Sequence, residues 1–254
     1  MNTPGRRPAM MAITLLFVSP GCALRQPIMV LPEALQGDAD VLPVSGRRGF
    51  GWKRDLRFGP FRTVRTNWAW RSDDSNNWGV LDRNATWSAK RPVSFVLEAT
   101  GCGPWTARCL GHAAARHREK AIGVGIDESG PRIRREVVED TSGEWFDCDL
   151  VGSDHRRWTF QMSRDDATGF GGVLVDDRAS EVARVRATDQ QTGKPYTYLV
   201  PPPLGFVIET SSGVVVGVER AFDGKVVLSR ATSSRDVCPL ATVAAALLLW
   251  EPLR

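Results

Sequence analysis

From about residue 60 onward apolar and polar positions mostly alternate, the period-two pattern of strands with one buried face. In WTFQM (158–162), Trp158, Phe160 and Met162 share one face, while Thr159 and Gln161 take the other. Residues 206–230 read as three strands joined by turns at Ser211-Ser212-Gly213 and Asp223-Gly224. Shorter alternating or β-branched runs at 61–66, 93–98, 121–126, 134–139, 173–175, 183–188 and 196–200 bring the expectation to about eleven short strands. Polar turns separate them, and parallel βαβ units do not fit that spacing. The predicted class is all-β, an antiparallel sandwich or barrel-like domain.

One segment breaks the pattern. PLATVAAALLLW (239–250) is apolar on every side, too short to cross a bilayer, and opens with a proline suited to the first turn of a helix. It predicts a short C-terminal helix packed into or across the sheet, with Asp236 upstream as a candidate cap.

The amino terminus has another logic. Arg6 and Arg7 precede a ten-residue apolar run, Ala9 to Val18, with no acid between them, and Ser19-Pro20-Gly21-Cys22 follows. That layout is a secretory signal segment. Its end resembles the lipobox of bacterial lipoproteins, with Ser19 standing where leucine is usual three positions before the cysteine. The resemblance covers about 22 residues and implies cleavage after Gly21, acylation of Cys22 by palmitate-type chains, and an envelope location. By analogy with lipoprotein sorting, Ala23 and Leu24 point to the outer membrane, facing the periplasm or the cell surface. The expected organisation is therefore a signal peptide (1–21), a lipidated cysteine and proline-bearing tether (22–46), and a single β-rich domain (47–254).

Removing the signal changes two further readings. The chain carries +4 at pH 7, and without Arg6 and Arg7 the balance is +2, too small a bias to imply nucleic acid. Setting Cys22 aside leaves Cys102, Cys109, Cys148 and Cys238, an even number in a disulfide-permissive compartment with three pairings available. The short loop containing Gly103 and Pro104 favours Cys102 with Cys109, leaving Cys148 for Cys238.

The candidate chemistry is sparse. Cys102, Cys109, His112 and His117 lack zinc-finger spacing, and histidines five apart diverge around any helical turn at 112–120, so no metal and no cofactor is expected. Ser153-Asp154-His155 holds the residue types of a hydrolase triad, but contiguous residues cannot adopt relay geometry, so it reads as a turn. Asp73-Asp74, Asp165-Asp166 and Asp176-Asp177 sit among turn residues, and Gly123-Val124-Gly125 lacks the helix a phosphate loop requires. Five of the nine tryptophans fall between Trp52 and Trp87, and Trp68 with Trp70 would share a strand face as a ligand platform.

The expectation is an exported, membrane-anchored, non-enzymatic module that binds or supports the envelope, its partner a cell-wall glycan or an envelope protein. A hydrolase or a carbohydrate-binding module acting on envelope polysaccharide or peptidoglycan is the alternative.

Overall fold

A computed structural model of the chain describes residues 28–47, 55–78, 83–127, 130–165, 169–189, 191–192 and 203–253. The strands in chain order are β1 (Ile28–Met29), β2 (Ala39–Ser45), β3 (Arg57–Phe58), β4 (Phe61–Trp68), β5 (Ser72–Trp78), β6 (Arg83–Ala99), β7 (Trp105–Asp127) and β8 (Gly130–Gly152). They continue with β9 (Arg157–Asp165), β10 (Gly169–Val175), β11 (Glu181–Thr188), β12 (Gln191–Thr192), β13 (Gly205–Thr210), β14 (Gly213–Glu219) and β15 (Lys225–Ser229). A 3-10 turn covers Glu33–Leu35, and among the described residues one helix, α1, runs Val237–Leu249.

Every strand pairing is antiparallel. The sheet runs β4-β3-β2-β15-β14-β13-β11-β10-β9-β8-β7-β6, and the lower half of β6 pairs back onto β4, from Phe61↔Ala99 to Trp68↔Val93. The result is a closed 12-strand antiparallel barrel, more specific than the sandwich or barrel-like class the pattern allowed. Its side chains sort by parity. Phe95, Leu97, Trp105, Phe146, Leu150, Phe160, Leu174, Phe206 and Val218 point inward and are buried, while Arg108, Asp149, Gln161, Arg184 and Arg186 stand outside. A membrane-spanning barrel puts its apolar band on the outside, so the polarity here is the reverse.

A barrel of about eight strands can be filled by its own side chains, and a wider one encloses extra volume. Here α1 fills it. Every residue from Cys238 to Leu249 is buried, against β6, β7, β8 and β14. Ala241, Ala244, Ala245 and Ala246 keep the helix slim enough to lie inside the strands. Leu240, Val243, Leu247 and Leu248 reach the surrounding wall. The helix is apolar on all sides because it has no solvent-facing side. Thr242 is its polar exception, and its hydroxyl donates to the Cys238 carbonyl at 2.8 Å.

The C-terminal helix forms where the sequence placed it. Asp236 occupies the N-cap position without a capping bond, since its carboxylate accepts the Ser233 hydroxyl at 2.6 Å instead. The three strands read in 206–230 are β13, β14 and β15, while the run at 196–200 lies outside the described residues.

The expected tether needs correction. Residues 28–45 belong to the domain: β2 is a barrel stave between β3 and β15, and the buried Met29 and Leu35 lie over the outer face of β13 and β14. Gly205 and Gly217 make that cover feasible. A Cβ on Gly205 would sit 2.4 Å from the Met29 sulfur and 2.4 Å from the Val218 carbonyl oxygen. The main chain of Met29 donates to Glu219 at 3.0 Å, and Lys225 pairs with the same carboxylate.

β6, β7 and β8 outrun the barrel. Their upper halves, with β5 added along the upper edge of β6, form a four-strand wall rising past one mouth. The Ala-rich stretch 112–120, read as a candidate helical turn, is part of β7. Pairing with strands on both sides overrides its local helix preference.

Candidate functional site

The four paired cysteines fix the plug and the barrel part of the β7–β8 ladder. Cys102 bonds to Cys238, tying the turn before β7 to the first turn of α1, and Cys109 bonds to Cys148 directly across the β7–β8 ladder. The expected pairing of Cys102 with Cys109, and of Cys148 with Cys238, is therefore wrong. β7 is already extended from Trp105 onward, and each residue of strand adds about 3.3 Å, which carries Cys109 out of reach of Cys102.

The other end of α1 meets a group of buried charges. Arg47 donates from Nε to the Leu248 carbonyl at 3.0 Å, and from Nη1 to the carbonyls of Phe222 (3.1 Å) and Arg220. Arg220 donates from Nη2 to the Trp250 carbonyl, with its guanidinium 4.9 Å from the centre of the Trp250 ring. Two cations thus face the last carbonyls of the helix, where the helix dipole is negative. Burial, and then the like charge of Arg47, push the Arg220 guanidinium down to about 9, while Glu251 and Glu144 act the other way. Beyond α1 the tail turns toward the wall. Leu253 is fully buried beside Ala89 and Ala113, its N–H donates to Glu144 at 2.7 Å, and Glu251 pairs with Arg91 at 2.9 Å. These groups stood out in no sequence motif, because each sits alone in its segment and only the fold gathers them. What they do is hold a helix end and a chain terminus.

The predicted site residues are scattered. Cys22 lies outside the described residues. β4 ends at Trp68, so Trp68 and Trp70 do not share a strand face. Trp68 packs against the core with the Arg91 guanidinium 4.9 Å from its ring centre, whereas Trp70 is 71% exposed. His112 and His117 lie on opposite faces of β7, since their positions differ by an odd number. Ser153-Asp154-His155 forms the β8–β9 turn, with His155 at φ +63° and its N–H donating to Gly152. Asp73 pairs with Arg71, and Asp176 accepts the N–H groups of Arg178 and Ser180 at 2.9 Å each, as turn aspartates do. Asp165 ends β9, Asp177 follows in the turn after β10, and Asp166 lies outside the described residues. Gly123-Val124-Gly125 is a run of strand in β7.

The wall carries a cleft of about 590 Å³. Trp87 packs inward beside Ala89, Ala113 and Leu253, so the neighbours Thr86 and Ser88 project from the opposite, outer face. The register then sets two outward rows across the four strands. Asp74, Ser88, Ala114 and Gly143 form one, with Asn76, Thr86 and Arg116 in the row beside it. Trp145 closes the β8 end. It is 36% exposed, and it stacks on His112 with ring centres 4.6 Å apart and planes 20° apart. Its ring lies over Gly143, where an added Cβ would stand 2.2 Å from the indole. Trp145 did have a sequence signal: in EWFDCDL (144–150) it sits on the same parity as Asp147 and Asp149, the polar face of its strand.

Comparison with protein-family models, with curated proteins and with solved structures finds no match.

Proposed function

We propose that this protein is an exported lipoprotein, anchored through Cys22, whose plugged barrel serves as a non-enzymatic binding or structural module of the bacterial cell envelope, most simply at the outer membrane. The observation that carries the reading is the plug. The lumen, where a wide barrel would hold a ligand, is occupied by an apolar helix bonded to the barrel through Cys102–Cys238. The charges at the barrel mouth are engaged with the helix end and the chain terminus, which leaves the outer surface as the place for recognition. Two disulfides suit an exported protein.

The N-terminal lipobox resemblance supports the anchor, and the fold adds a consequence. Met29 is already seated on the barrel seven positions after Cys22, so an anchored chain would hold the domain within roughly 25 Å of the bilayer. The test is membrane fractionation with intact-mass measurement of wild type and Cys22→Ala. The expected wild type is membrane-bound and heavier than the cleaved polypeptide by its acyl groups, and the variant is released and unacylated. A soluble wild type without added mass contradicts the anchor.

A further inference from the structure

Trp145 stands between two exterior clefts, one over β8–β10 that includes Asp147, Gln161, Ser163 and Gly171, and the cleft on the wall, whose lining can be read row by row. Its floor row is short-chained (Asp74, Ser88, Ala114, Gly143), which lowers the surface along a line crossing all four strands. Strands spaced about 4.8 Å apart make that line roughly 14 Å long, room for a short run of pyranose rings laid end to end. One end carries an indole, fixed by stacking on His112 and by the absence of a side chain at Gly143. Along the cleft stand a carboxylate (Asp74), an amide (Asn76), two hydroxyls (Thr86, Ser88) and a guanidinium (Arg116).

The charge of the lining selects among ligands. It holds one carboxylate and one guanidinium, a net charge of zero, so it complements neither a polyanion nor a cationic peptide. Closely spaced donors and acceptors beside one aromatic face match a ligand that is polar at its edges, apolar on its ring faces and uncharged. A neutral saccharide has that character, since its hydroxyls take hydrogen bonds in the ring plane and its axial C–H groups pack on an aromatic ring. We infer that the outer face of the β5–β8 wall is a binding site for a neutral, linear glycan, read by Trp145 and the polar row from Asp74 to Arg116. This deepens the envelope-module reading and rests on it for biological setting only.

The test titrates the full chain in detergent with two neutral probes, a trimer of β-1,4-linked N-acetylglucosamine and maltotriose, followed by tryptophan fluorescence and calorimetry. A heparin oligosaccharide is the charged comparison. At least one neutral probe is expected to bind saturably, and Trp145→Ala to weaken it about tenfold or more, the loss of one stacked and desolvated aromatic face. Ser88→Trp, which fills the floor while keeping Trp145, should abolish binding. Trp70→Ala, which removes an exposed indole away from the cleft, should leave it unchanged. Circular dichroism and melting curves confirm that each variant is folded. Absence of saturable binding by both neutral probes, preference for heparin, or binding that survives both Trp145→Ala and Ser88→Trp overturns the inference. Fractionation of the same wild-type protein reads the anchor separately, so a protein that is acylated but binds no sugar loses this inference alone.

Discussion

The two disulfides differ in what they close, and that difference can be measured. Cys102–Cys238 spans 136 positions and Cys109–Cys148 spans 39. A cross-link acts mainly by restricting the unfolded chain, and on that basis the longer loop is worth about 5 kcal/mol and the shorter about 4 kcal/mol, a gap of about 1 kcal/mol. Replacing each pair by alanine also removes buried sulfur, from both residues of Cys109–Cys148 but mainly from Cys238 in the other pair, since Cys102 is only partly buried, so a larger loss from the Cys102–Cys238 pair can come only from its longer loop. Guanidinium unfolding followed by circular dichroism should therefore rank the Cys102→Ala/Cys238→Ala variant as the less stable. Its m-value should also rise, since its unfolded state is freer to expand. Both variants should unfold in one transition, because α1 remains packed against the strands and held at its far end by Arg47 and Arg220. A larger loss from the Cys109–Cys148 pair would refute the loop-entropy argument. A separate early transition for the helix would show that plug and barrel do not fold as one unit.

Other outcomes follow from the lumen and its mouth. Leu247 is fully buried between α1 and the barrel wall, so Leu247→Ala should cost about 2–5 kcal/mol in the same unfolding assay, and a loss under about 1 kcal/mol would mean the lumen is loosely packed. Arg220 is a base whose folded-state affinity for its proton, at about 9, is held well below the ordinary guanidinium range by burial, so the folded protein gives up that proton first as pH rises. Wild-type stability relative to Arg220→Met should therefore be lowest and flat below pH 8 and climb between pH 9 and 10.5; a flat difference across that range would refute the sign. Glu144 is buried and accepts the Leu253 N–H, so Glu144→Ala should free the C-terminal residues, seen as faster amide exchange at Leu253 with α1 unchanged.

The sequence showed some of this plainly and some not at all. β13 to β15 were legible because β-branched runs alternate with Gly-bearing turns, and α1 because nothing but burial accommodates a helix apolar on every side. Where α1 sits was not legible, since a segment without a polar face carries no information about which neighbours surround it. β2 was missed because Pro43 and two nearby prolines read as tether, yet in the barrel Pro43 lies opposite Lys225 in a paired stave. The length of β7 was hidden by HAAARHREK, whose alanines and charges favour a helix locally until cross-strand pairing with β6 and β8 decides the matter. Disulfide pairing failed for a related reason: six intervening residues look like a loop only until the strand through them is known. The cleft depends on register across four strands, so only Trp145, standing on the polar parity of its strand, could have announced it.

A lumen permanently filled by α1 has a structural role and holds no ligand. Native-state hydrogen exchange of the α1 amides between Leu240 and Leu249 reports whether the helix ever leaves. If the helix is a permanent plug, these amides exchange only through global unfolding, with protection equal to the unfolding free energy of the whole protein and with the same denaturant dependence. Exchange through an opening well below the global free energy, while the barrel strands stay protected, would show instead that the helix leaves the lumen and that α1 is no permanent plug.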